Sequence, residues 1–209
     1  MSQTILLFGD SIIDNKYYVG ENENSVLEHL QNISNDEFIQ IALDGDTTRD
    51  VLDKQLQVST IKDASKIILS VGGNDLLQNL SFLYKSNFEN VNEGFICLQN
   101  QIFQPLTERY EAIVKVLSSY RANLLLCTVY EGDLGRTDEF RGVLDSSKIM
   151  ASSFNDIVYK TAKKYQADVL ELRHIFTSSE DFANPIEPSH IGGEKLAKAI
   201  IKWVEVDET

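Results

Sequence analysis

The chain has 209 residues, 43% hydrophobic and 24% charged, with 3 prolines and 11 glycines, which excludes a low-complexity or disordered chain and fits one domain over residues 1–209. A formal net charge of −13 argues against nucleic acid and anionic membrane as partners and leaves neutral or cationic small molecules open. No stretch approaches the roughly 20 apolar residues of a membrane span. Met-Ser-Gln-Thr at the start carries no basic residue, and Cys97 and Cys127 lack metal or disulfide-scaffold spacing, so a reducing cytoplasm is the expected location.

The first apolar run, Ile5–Phe8, suits a buried strand and enters the turn Gly9-Asp10-Ser11. Ser25–Leu30 has the spacing of a short helix. A second run, Phe38–Leu43, leads into Asp44-Gly45-Asp46-Thr47-Thr48, where Thr47 or Thr48 would cap a helix reaching Leu56. The third, Lys66–Val71, is followed by Gly72-Gly73-Asn74-Asp75. Leu76–Asn100 is too long for a short connection and carries Phe82, Leu83, Tyr84, Phe88 and Phe95. That composition fits a lid or binding loop, or equally a packed surface excursion with small helices of its own.

Beyond it, Ile102, Leu106, Tyr110, Ile113 and Leu117 repeat at helical spacing through Tyr120. The fourth run, Asn123–Val129, contains Cys127, a buried small hydrophobe by its context, and ends at Tyr130 and the loop Glu131–Thr137. A helix over Ile149–Tyr165, a fifth run at Asp168–Leu172 and a last helix over Gly193–Val204 complete the pattern. Strands alternating with helices predict an α/β fold: a flavodoxin-like three-layer α/β/α sandwich of about five parallel strands in the order 2-1-3-4-5. Such a sheet gathers its functional residues at the carboxyl ends of the strands, which are the ends that carry Ser11, Gly45, Asn74 and Tyr130.

Taken singly, these residues are ordinary turn formers, Asn74 or Asp75 a helix cap, and Glu187 a loop acid. Asp44, Asp46 and Asp50 read as loop and helix-start charges rather than metal ligands. His29 reads as a structural or surface group of an early helix, and His174 follows the fifth strand with no acid at useful spacing.

In order and spacing, Gly9-Asp10-Ser11, the Gly45 turn, Gly72-Gly73-Asn74-Asp75 and Glu187-Pro188-Ser189-His190 resemble the sequence blocks of the SGNH hydrolases, the GDSL-type lipases and esterases, from residue 5 to about residue 196. The resemblance implies Ser11 as nucleophile, the Ser11 and Gly45 N–H groups with the Asn74 amide as oxyanion hole, and His190 as base. The family's aspartate three residues before that histidine is Glu187 here, which would orient the imidazole; Asp181, Glu180 or an unassisted Ser-His dyad are the alternatives. Ile12 stands where the family often has leucine.

A serine hydroxyl is a weak nucleophile at neutral pH and needs a base, and the tetrahedral oxyanion needs preorganised donors. The activity implied is hydrolysis of small carboxylic esters through an acyl-enzyme, with a small-molecule ester as partner and without cofactor or metal. Acyl transfer, thioester hydrolysis or carbohydrate deacetylation would use the same site, and a non-catalytic binding module would keep only the scaffold. Phe82, Tyr84 and Tyr130 are the expected substrate-binding residues.

Overall fold

The computed structural model describes residues 2–80 and 87–206. Five parallel strands, β1 (Thr4–Gly9), β2 (Glu37–Gln40), β3 (Lys66–Ser70), β4 (Asn123–Cys127) and β5 (Asp168–Leu170), form one sheet in the order β2-β1-β3-β4-β5. The helices are α1 (Val26–Ile33), α2 (Thr48–Asp53), α3 (Gly73–Gln78), α4 (Val91–Leu98), α5 (Gln104–Leu117), α6 (Leu144–Tyr165) and α7 (His190–Glu205). The architecture is the expected three-layer α/β/α sandwich.

Side chains on a strand alternate between faces, and the central strands are apolar on both. Leu6, Phe8, Ile67, Leu69 and Leu126 point to a core shared with Val51 of α2, Ile113 of α5 and Phe154 of α6. Ile5, Leu7, Ile68, Leu125 and Cys127 point the other way, to Val26 and Leu30 of α1 and Leu196 and Ile200 of α7. The sheet is therefore covered on both sides, as a parallel sheet requires.

Helix starts are chemically specified. Ser25 caps α1 and Thr47 caps α2, each in a reciprocal capping box with Glu28 or Asp50 three residues on. Two boundaries differ from expectation in ways that matter. β2 stops at Gln40 because Ile41 and Ala42 both donate their N–H to the Leu7 carbonyl, each at 2.8 Å, so the ladder ends there. The last helix begins at His190 rather than Gly193, because Ser189 takes the cap position and accepts from Gly192 N. Between Leu76 and Asn100 the chain forms the end of α3 and α4, with Phe88 and Phe95 exposed. Phe82, Leu83 and Tyr84 lie outside the described residues.

Candidate active site

Ser11 sits on a turn that the first strand cannot help but make. Gly9 has φ +137°, and a Cβ there would lie 1.9 Å from the Ser70 carbonyl oxygen, so only glycine lets β1 and β3 stay paired at their ends. Asp10 N donates to that same carbonyl at 3.1 Å, and Asp10 in turn accepts Ile12 N on its carboxylate at 3.1 Å and Ile13 N on its carbonyl at 3.1 Å. The Ser11 N–H makes no hydrogen bond among the described residues. A residue that sequence reasoning passed over completes the turn: the Gln55 side chain accepts from Gly9 N at 2.9 Å and donates to Gly9 O at 2.7 Å and to Asp46 at 2.7 Å.

Asn74 arrives from the end of β3. Gly72, at φ +123°, lies against the Phe154 ring, where a Cβ would come within 2.4 Å of ring carbons. Its successor α3 is locked to α2 by Asp75, which accepts Thr48 N at 2.8 Å, Thr48 Oγ1 at 2.7 Å and Arg109 at 3.1 Å. The Asn74 amide donates to the Asp46 carbonyl at 3.0 Å. That bond ties the third block to the second one residue from Gly45. Gly45 itself has φ +81° and is exposed at the rim, outside the cleft lining.

Glu187 is held from four directions. Asn184 Oδ1 accepts the N–H of both Ile186 and Glu187 at 2.9 Å, Glu187 O accepts from Ala183 N at 2.9 Å, and Phe182 bridges Pro188 in antiparallel fashion. Asn15 Nδ2 donates to Pro188 O at 3.2 Å while its Oδ1 accepts from Val26 N at 2.8 Å, joining this loop to the segment after Ser11. The Tyr130 hydroxyl donates to Ile186 O. Thus fixed, Glu187 is 5% exposed and lines the same cleft as Ser11. Burial pushes its carboxyl up to about 7, against the downward pull of the nearby Ser11 hydroxyl and helped by the Asp44 charge. Burial also raises Asp10 well above the carboxylate range.

His190 is not among the residues lining the cleft that holds Ser11 and Glu187. As the first residue of α7 it faces α1: its Nδ1 accepts from Asn24 N at 3.0 Å and lies 3.1 Å from His29 Nε2, with the two rings 4.7 Å apart. Among the described residues no hydrogen bond links His190 to the serine or the glutamate. The helix cap at Ser189 is the reason, since it starts α7 immediately after the Glu187 loop and turns the next side chain toward the neighbouring helix. Asp181 is engaged elsewhere, with Lys195 at 2.6 Å and the N–H groups of Thr177 and Ser178.

Ser11, Asn74, Tyr130 and Glu187 line one cleft, whose walls are apolar side chains of α3 and the residues just after it, α6 and the loop after β4, including Leu76, Leu80, Leu134 and Met150. Tyr130 lines this cleft with its hydroxyl committed to the Glu187 loop. Among the described residues no three His, Cys, Asp or Glu side chains gather so as to hold a metal ion.

The model of the GDSL-like lipase/acylhydrolase family matches residues 5–196. The chain belongs to that family. This GDSL-like chain is 25% identical over 226 aligned residues to the uncharacterized protein YpmR of Bacillus subtilis (strain 168), covering 96% of the chain and 81% of the relative. Its fold resembles phospholipase A1 from Streptomyces albidoflavus NA297, at TM-score 0.67 and 15% identity over 97% and 99% of the two chains. It also resembles a catalytic mutant of Axe2, an acetylxylan esterase from Geobacillus stearothermophilus, at TM-score 0.66 and 13% identity over 97% and 94%. As a member of that family, the GDSL-like chain is a hydrolase by kinship.

Proposed function

We propose that the protein hydrolyses carboxylic esters of small or medium acyl groups through an acyl-enzyme on Ser11. The observation that carries this reading is Ser11, held on a fixed turn in an apolar cleft that Asn74 also lines. Ser11 Oγ attacks the acyl carbon, and the resulting oxyanion is met by the Ser11 N–H and the second hydrogen of the Asn74 amide, with the Gly45 N–H at the rim. Preorganised donors of this kind contribute about 10²–10³ each to turnover. The alcohol leaves, and water releases the acid.

The apolar walls favour an acyl chain over a charged or sugar-like one in the inner cleft, while the outer rim is open to a larger alcohol. Phospholipase and acetylxylan esterase activity in fold neighbours support acyl–oxygen cleavage as the reaction class. The test is hydrolysis of a p-nitrophenyl ester series, with labelling of the protein by a fluorophosphonate. Activity and labelling both lost in Ser11→Ala are expected; activity unchanged in that variant refutes the mechanism.

A further inference from the structure

We propose that α4 and the adjoining face of α6 dock on a lipid surface that carries no net charge. This goes beyond the ester-hydrolase reading, and its test does not depend on it. α4 is predominantly apolar, yet none of its eight residues is buried. Val91 is 75% exposed, Phe95 60% and Ile96 52%, and Ile149 of α6, which lines one groove with Phe95 and Ile96, is 61% exposed. Leu98, Phe103 and Ile157 extend the apolar lining of that groove. A helix this short has little stability in water by itself and ordinarily gains it by burying one face. α4 buries none. It is held by its continuation, a π turn over Gln99–Phe103 leading into α5, where Ile102, Leu106 and Tyr110 sit in the core. An exposed apolar face maintained in this way marks a place where something apolar is met.

The charges around that face select the occupant. Both lysines of the groove lining are already paired within the chain, Lys148 with Glu131 at 3.8 Å and Lys160 with Asp156 at 2.5 Å. Glu111, the other charged residue of the lining, is paired with Lys164 at 2.9 Å. Beside the start of α4 stand two acids, Glu89 and Glu93, the second accepting the N–H of the first at 3.1 Å. Among the described residues the lining therefore keeps no unpaired cation for an anionic headgroup. A chain of net charge −13 repels an anionic surface as a whole, and repels a second copy of itself in the same way. A zwitterionic surface meets neither opposition, and removing Val91, Phe95, Ile96 and Ile149 from water supplies the attraction.

The face also adjoins the Ser11 cleft. Met150 lines both the cleft and the groove, with Ser147 and Ala151 on the cleft side of α6 and Ile149 and Ser153 on the groove side. A lipid surface seated on the groove thus lies one side chain away from Ser11's cleft, where apolar walls are ready for an acyl chain.

The experiment is flotation of the full chain with phosphatidylcholine vesicles, with and without phosphatidylserine, at low and high salt. Wild type is compared with Ser11→Ala, Phe95→Ser, Ile149→Ser and Ile33→Ser, the last an exposed apolar residue of α1 on the opposite side of the sheet. Wild type, Ser11→Ala and Ile33→Ser are expected to float with phosphatidylcholine alike at both salt concentrations, and no better with phosphatidylserine. Phe95→Ser and Ile149→Ser should each lower the partition coefficient on the order of ten-fold while melting at the wild-type temperature. Wild type that does not float with phosphatidylcholine, or floats only with phosphatidylserine, overturns the proposal. So does flotation undiminished in both groove variants. A wild-type dimer in sedimentation that both variants reduce to a monomer overturns it too, because a second copy then covers the face. None of these results bears on Ser11, and ester hydrolysis failing while flotation persists overturns only the catalytic reading.

Discussion

The side-chain amide of Gln55 is paired with both backbone polar groups of Gly9, at 2.9 Å to its N–H and 2.7 Å to its carbonyl. It acts as a one-residue extension of the sheet at the point where β1 hands over to the Ser11 turn. Gln55 is buried, so its loss leaves the Gly9 N–H without that partner and the Gly9 carbonyl with only the Leu43 N–H, at 3.2 Å. Gln55→Ala is expected to destabilise the fold by about 1–3 kcal/mol in denaturant titrations. Gln55→Glu should do worse than its shape implies, because it replaces a donor with a second acid against Asp46. Wild-type stability in Gln55→Ala would show the pairing to be unimportant.

The glycines of the first two blocks should respond very differently to one added methyl. Gly9→Ala meets the Ser70 carbonyl at 1.9 Å on a backbone at φ +137°, and should cost roughly 3 kcal/mol or more. Gly45→Ala meets nothing within 4 Å, so only the positive φ opposes it, at about 1 kcal/mol. Thermal melts of the two variants check the ranking, and the Gly45 variant separates a stability effect from any change in ester turnover.

Met150 is buried and lines both the Ser11 cleft and the neighbouring groove bounded by Phe95, Phe103 and Ile149. Met150→Ala would join the two spaces. The ratio of kcat/KM for octanoyl over butanoyl p-nitrophenyl esters should rise on the order of ten-fold, with a stability loss of about 2–5 kcal/mol. An unchanged ratio would place the acyl chain elsewhere.

Glu187 makes stability depend on pH in the direction opposite to most carboxylates. Its folded-state value of about 7 lies above the 4.5 of an unperturbed glutamate. Between those values the unfolded chain has released the proton and the native one still holds it, so stability falls as pH rises through that window. The loss is on the order of 3 kcal/mol when complete. Asp10, raised in the same sense, adds to it. Glu187→Gln should therefore be more stable than wild type at mildly alkaline pH and nearly equal at low pH, by urea denaturation at each. Greater loss of stability in the variant at high pH would contradict the burial argument.

What the sequence determined by itself is the frame. Ile5–Phe8, and Ile67–Leu69 within the third run, are apolar at every position, as a strand covered on both faces is, and the helical stretches between the runs leave one economical topology. The order of Ser11, Gly45, Asn74 and Glu187 along that frame was equally legible, because each follows or precedes an element whose end it marks. Gln55 was not: nothing in a glutamine at the end of a short helix announces that it will pair with a backbone 46 residues away. The tertiary structure alone decided which side chains share the Ser11 cleft. Glu187 and His190 are three residues apart, close enough for one to orient the other, yet with the cap at Ser189 and the ties from Asn15 and Tyr130 the glutamate lines the serine's cleft and the imidazole meets His29. Those ties come from residues as much as 173 positions distant, and a spacing of three residues carries no trace of them.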